Sequence, residues 1–180
     1  TAVAVDATGN MFIADTRNHV IRKVVTGGTI SRLAGTGIPG ALSVENAVAI
    51  EVPLETPSGV AADRAGVVYF ADTRNNRIRK VATDGKITTF VSTGAGLNYT
   101  QGLAFDSAGN LYVSDSHNHR VLKVTPEASV SVVAGNGLAG YSGDGGLATE
   151  TMLNYPMGVA VDASGNLFIA DSVNGRIRVV

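Results

Sequence analysis

The chain has 180 residues, 44% of them hydrophobic and 16% charged, with a formal net charge of −1. Cysteine is absent, which excludes disulfides, thiolate metal ligands and a cysteine nucleophile. The near-neutral balance argues against a nucleic-acid backbone as the main partner, and no apolar run of about 18 residues is available to span a bilayer as a helix.

The chain is organised around one stretch that occurs four times. Its copies open at Thr1, Ser58, Gln101 and Met157, and their first aspartates are Asp6, Asp63, Asp106 and Asp162. A repeat of this period marks a propeller or another array in which each unit buries its faces against neighbours. The 22 glycines, set between short apolar runs, suit many short strands joined by tight turns.

Each copy reads as three strands. The first is short and made of small apolar residues: Val3–Val5, Val60–Ala62, Leu103–Phe105 and Val159–Val161. Without polar alternation, such a run predicts a strand buried on both faces. A turn follows, Asp-x-x-Gly-Asn or a variant, with Gly9, Gly66, Gly109 and Gly165 at the left-handed position. The second strand is rich in aromatic and branched residues and ends at a second aspartate, Asp15, Asp72, Asp115 or Asp171. A loop, Asp-Thr/Ser-x-Asn-x, then leads into a third strand that opens with arginine in three copies (Arg77, Arg120, Arg176) and with Val20 in the first.

A fourth strand is predicted in three copies, at 29–34, 87–92 and 130–134; the last copy stops at Val180 before one forms. The fold class is therefore all-β, with propeller blades of antiparallel four-stranded sheets. The blades run over about 1–52, 57–98, 101–153 and 157–180, the last incomplete. Such a set forms an open arc or partial propeller, cut from a longer one; a closed four-bladed ring and the pairing of two arcs are the alternatives. Two long links, Gly35–Pro57 and Gly135–Pro156, join blades, and 147–153 has room for one or two helical turns.

The pattern Gly-Val-Ala-Val-Asp, Gly-Asn-Leu-Tyr-Val-Ala-Asp, Asn-His-Arg-Ile-Arg-Lys-Val resembles the NHL repeat, with Asn118–Val121 and Asn18–Ile21 at the namesake positions. Ser142–Gly146 is similar to an insert in bacterial multi-repeat NHL proteins. The resemblance covers the whole chain. It implies a propeller, usually of six blades, and leaves function open among binding scaffolds, receptor-kinase sensors, RNA-binding modules and a zinc-dependent lyase. It also suggests an extracellular or periplasmic location.

Asp15, Asp72, Asp115 and Asp171, with Arg77, Arg120 and Arg176, recur in every blade or nearly so. A residue that every blade carries serves what every blade needs, so these are read as structural: aspartates capping loops, arginines tying them down. The positions that vary between blades are better candidates for a ligand-binding rim. They are Arg17, Arg74 and His117, expected near Tyr99, Tyr141 and Asp144. His19, His117 and His119 do not read as a zinc site, which takes three converging protein ligands. The glycine-rich 140–146 segment carries one acid and reads as a turn.

No catalytic set, cofactor or metal is expected. The favoured function is a non-enzymatic scaffold for a protein, peptide or glycan on the loop face, with nucleic acid disfavoured and self-association through open blade edges expected. The alternative is part of a metal-dependent lactonase- or lyase-type propeller enzyme whose ligands lie largely in other blades.

Overall fold

The computed structural model describes residues 2–180; Thr1, where the first repeat copy opens, lies outside the described residues. The chain divides into two compact units, one ending at Gly96 and one spanning Leu97–Val180. Both are all-β, and their short helical segments are single 3-10 turns.

The first unit holds two sheets. Strands β1 (Ala2–Val5), β2 (Met11–Asp15), β3 (Val20–Val24) and β4 (Ile30–Ala34) form an antiparallel blade in chain order. The second sheet takes β6 (Val60–Ala62), β7 (Val68–Asp72), β8 (Arg77–Val81) and β9 (Lys86–Val91), together with the two-residue strand β5 (Ala47–Val48). Its order is β5-β9-β8-β7-β6. Strand β5 comes from the link after the first blade, yet it pairs with β9 of the second.

The second unit repeats the plan. Strands β10 (Thr100–Phe105), β11 (Leu111–Asp115), β12 (Arg120–Val124) and β13 (Val130–Ala134) make a four-stranded blade. Strands β14 (Pro156–Val161), β15 (Leu167–Asp171) and β16 (Arg176–Val179) make one of three. The helical turns anticipated over 147–153 amount to one 3-10 turn at Ala148–Glu150, matched by one at Ala49–Glu51 in the other long link.

Cores form where side chains of one parity meet. In the first unit Phe12, Ala14, Ile21, Leu54, Phe70 and Ile87 are buried together; in the second, Val121, Ala134, Leu153, Leu167 and Ile169. The innermost strands depart from the expected two-faced burial. Ala2 and Ala4 pack on the core, but Val3 and Val5 stand 58% and 60% exposed, on the same face as Met11 and Ile30. In the last blade Ile177 and Val179 are likewise exposed, beside an apolar hollow lined by Gly158, Ala160, Phe168 and Ala170. Only β6 fits the expectation closely, with Val60 and Ala61 both buried. Strand alternation sends every second residue to the far face, and the first and last blades leave that face in solvent.

The Asp-x-x-Gly-Asn turns are closed by their aspartates. Asp6 Oδ1 accepts the backbone N–H groups of Thr8 and Asn10, each at 2.9 Å, and Asn10 Nδ2 donates to Asp6 Oδ2 at 2.8 Å. Chiefly through that side-chain amide, the Asp6 carboxyl falls from an ordinary 3.8 to about 2; Asp162 is lowered in the same way by Asn166. A lowered folded-state value favours the native state above the ordinary carboxylate range, and that contribution fades as pH falls from about 4 to 2. Asn10→Ala is expected to move the Asp6 titration, followed by carboxyl-carbon NMR, back up toward the ordinary value. An unmoved midpoint would show that the amide is not the cause.

Candidate functional site

The loop after each second strand is one 3-10 turn: Thr16–Asn18, Thr73–Asn75 and Ser116–Asn118, with a hydrogen-bonded turn at the same place in the last blade. Its aspartate works as a latch. In the second blade the fully buried Asp72 accepts the backbone N–H of Glu55 at 2.7 Å, Asn75 Nδ2 at 2.9 Å and Arg77 Nε at 2.8 Å. Asp115 takes the same set from Asn98, Asn118 and Arg120. Each latch thus ties the hairpin between the second and third strands to the chain just ahead of its own blade.

Two blades vary the arginine. In the first, with Val20 at the usual place, Arg22 reaches Asp15 at 2.6 Å. In the last, Arg176 does not tie down Asp171 as expected. Its guanidinium lies 4.1 Å from the Tyr141 ring centroid and donates to the Asn174 carbonyl, while Arg178 takes the place beside Asp171 at 3.6 Å. The lysines of the third strands lie over aromatic rings of their own blades, Lys23 on Phe12, Lys80 on Tyr69 and Phe90, and Lys123 on Tyr112. The basic strands therefore spend their cations on scaffold contacts.

His19, Asn76, His119 and Gly175 end the four loops with positive φ, between 50° and 62°. The two histidines add a second contact: His19 Nδ1 accepts the Thr56 N–H and His119 Nδ1 accepts the Tyr155 N–H, both at 3.2 Å. An accepting Nδ1 leaves the ring proton of the neutral imidazole on Nε2. These histidines hold the next blade's entry rather than pointing at a shared centre. Among the described residues no three or more His, Asp or Glu side chains converge as they would on a metal ion.

Of the expected rim, Arg17 and Arg74 lie exposed in the first unit, each in the middle of its 3-10 turn. In the second unit His117, at that same position, is exposed and stacks on Tyr99, with centroids 4.5 Å apart and planes 17° from parallel. Tyr155 closes the group, its ring 5.2 Å from His117 and 6.4 Å from Tyr99, and its hydroxyl accepts Gln101 Nε2 at 3.3 Å. Burial pushes the Tyr155 phenol up, so it stays a neutral donor at physiological pH. Tyr141 and Asp144 belong to a second group: the Tyr141 hydroxyl donates to Asp144 Oδ2 at 2.8 Å and Arg178 meets Asp144 Oδ1 at 2.6 Å.

Tyr155 and Gln101 escaped the reading of the sequence. Aligning the blade entries, Asn98-Tyr99-Thr100 with Asn154-Tyr155-Pro156, would have found the tyrosine. Both tyrosines sit in left-handed backbone, φ 54° and 55°, as does Thr56 at 48°. For a bulky residue this costs roughly 1–2 kcal/mol. The three rings, a hydroxyl and an amide offer flat apolar surface with polar edges, suited to packing on a ring or apolar face of a ligand.

The family model for the teneurin NHL domain matches residues 99–180. The chain belongs to the NHL-repeat β-propeller family. Teneurin-3 of Danio rerio is 31% identical over 188 residues and 100% of this NHL chain, and human Teneurin-4 is 29% identical over 174 residues and 95% of it. The NHL chain spans only 6% and 5% of those relatives' lengths. Solved propellers share its fold. A structural-genomics protein of unknown function from Bacteroides thetaiotaomicron superposes with a TM-score of 0.74 at 19% identity, over 98% of the NHL chain and 46% of its own. A streptogramin B lyase superposes at 0.68 and 12%, over 99% and 53%. At such identities the likeness is one of fold.

Proposed function

We propose that this NHL segment is a binding scaffold, built from blades at about 1–52, 57–98, 101–153 and 157–180, that holds a peptide or glycan ligand on the Tyr99–His117–Tyr155 surface. The observation that carries the reading is the choice of tyrosine at a strained position. The left-handed turn itself is scaffold, since Thr56 shares it and histidine nitrogens brace it. Asparagine or glycine would fill it at less cost. Tyrosine stands there twice, and Tyr99 is stacked on the exposed His117. Strained positions of this kind gather at ligand sites.

Protein partners, self-association through open blade edges and an extracellular or periplasmic location belong to the same proposal. No helix among the described residues is long and apolar enough to cross a membrane. The lactonase- or lyase-type reading gains no specific support from the fold likeness.

The test is Tyr99→Asn. Asparagine relieves backbone strain while the ring contacts are lost, so stability is expected to stay within about 1 kcal/mol of the parent. Capture of ligands on peptide and glycan arrays is expected to fall at least tenfold. Ligands retained equally by both proteins would sink the proposal, and a stoichiometric metal ion found by elemental analysis of the full-length protein would revive the enzyme.

A further inference from the structure

Asparagine followed by glycine is prone to spontaneous rearrangement, because glycine has no side chain to shield its own nitrogen. The chain holds two such pairs, Asn136-Gly137 and Asn174-Gly175. Both lie in the unit Leu97–Val180, and the fold treats them in opposite ways. Asn174 is restrained: its Nδ2 donates to the Gly140 carbonyl at 2.7 Å and to Asp171 Oδ2 at 2.8 Å. The nitrogen that would attack it, that of Gly175, already donates to the Ser172 carbonyl at 3.1 Å.

Asn136 is exposed, on the long link that follows β13. The Leu138 N–H donates to its Oδ1 at 3.0 Å. A donor held at that oxygen polarises the amide and stabilises the negative charge that grows there when Cγ is attacked. The Gly137 N–H makes no hydrogen bond to the described residues. The approach is open, since even an added Cβ at Gly137 would meet only the Asn118 carbonyl oxygen, at 3.7 Å or more in either unit's copy of the turn. The first unit keeps the turn without the chemistry: Thr36 stands there, and its Oγ1 accepts the Ile38 N–H at 3.2 Å.

We propose that Asn136 is a self-modification site, at which the native chain converts asparagine into aspartate and isoaspartate. The Gly137 nitrogen gives its proton to solvent base and bonds to Asn136 Cγ. The Cγ–Nδ2 bond breaks, and the amide nitrogen takes a proton from water and leaves as ammonia. A water molecule then opens the resulting succinimide at either carbonyl. The net change is one amide and one water to one carboxylic acid and one ammonia, with nothing oxidised or reduced.

The change falls where the link is pinned. Gly135 and Asn136 donate to the Ala148 and Thr151 carbonyls, each at 2.9 Å, and Asn136 Nδ2 donates to the Glu150 carbonyl at 3.1 Å. A carboxylate has no N–H to give to Glu150, and isoaspartate adds a carbon to the main chain. The converted chain gains a negative charge and a loosened link.

The test incubates the full chain at mildly alkaline pH, native and unfolded in urea, and follows both asparagines by tandem mass spectrometry. In urea the two are expected to convert at similar rates. In the native chain Asn136 is expected to stay within a few-fold of that rate, while Asn174 slows at least tenfold. Electron-transfer fragmentation is expected to find isoaspartate at position 136. The converted fraction, separated by anion exchange, is expected to show faster hydrogen exchange at the amides of residues 136 and 138 than an Asn136→Thr chain aged alike. Equal slowing of both asparagines on folding, aspartate as the sole product, or unchanged exchange at these amides would overturn the assignment.

Discussion

Asp72→Ala is expected to lower the unfolding free energy by about 3–5 kcal/mol, the range for removing one member of a buried ion pair. Asp72 is fully buried and Arg77 nearly so. The substitution removes three acceptor contacts at once, from Glu55, Asn75 and Arg77. Arg77 keeps bonds to Ser43 Oγ and the Leu42 carbonyl, but it loses the carboxylate that pairs with it directly and is left with Glu45 as a more weakly coupled counter-charge. Asp15→Ala is the control: its partner Arg22 is 36% exposed, and solvent screening reduces such a pair to about 1 kcal/mol or less. Urea denaturation of the two variants separates the cases. Equal losses would mean that burial does not set the strength of the latch.

Gly135→Ala is expected to cost about 2–5 kcal/mol. A Cβ there would stand 2.3 Å from the His119 carbonyl oxygen and 2.7 Å from Arg120 Cα, backbone atoms that cannot swing aside, and φ is +86°. Left-handed strain contributes roughly 1–2 kcal/mol and overpacking roughly 1–3. Gly109 separates these parts. Its φ of +85° is as unfavourable, but the nearest atom to an added Cβ is Pro126 Cγ at 3.8 Å. Gly109→Ala should therefore cost only the strain, about 1–2 kcal/mol. The two melting temperatures should differ clearly; if they coincide, the close approach of chain to chain at Gly135 is not what requires glycine.

The strands were legible because each is a short apolar run closed by a recognisable turn. The second strands end at Asp15, Asp72, Asp115 and Asp171, where the sequence predicts their ends. Local chemistry decides such elements. Features set by non-local contacts were not legible in the same way. The composition of Val3 and Val5 is that of a buried strand, and only the packing shows which face meets a neighbour. Val20 left the first blade without its expected arginine, and Arg22, two residues on and on the same strand, reaches Asp15 in its stead. Arg176 carries the repeat's arginine but finds Tyr141, an aromatic ring just ahead of Ser142–Gly146. At the candidate surface, His117 was singled out by its variability between blades and Tyr99 as its expected neighbour; Tyr155 joins them through the fold of the following blade.

The latch also separates the part of each blade that can change from the part that cannot. In the 3-10 turn the aspartate and asparagine on either side are fixed by mutual hydrogen bonds, while the residue between them points outward: Arg17, Arg74, His117 and Val173 in the four blades. Cation, imidazole and branched alkane are all accepted there on one backbone. The loop is in effect a display platform. A library randomised at His117 and Val173, both exposed in the second unit, would vary the surface while leaving the aspartate latches intact, and new binding specificities should be selectable from it with little loss of expression.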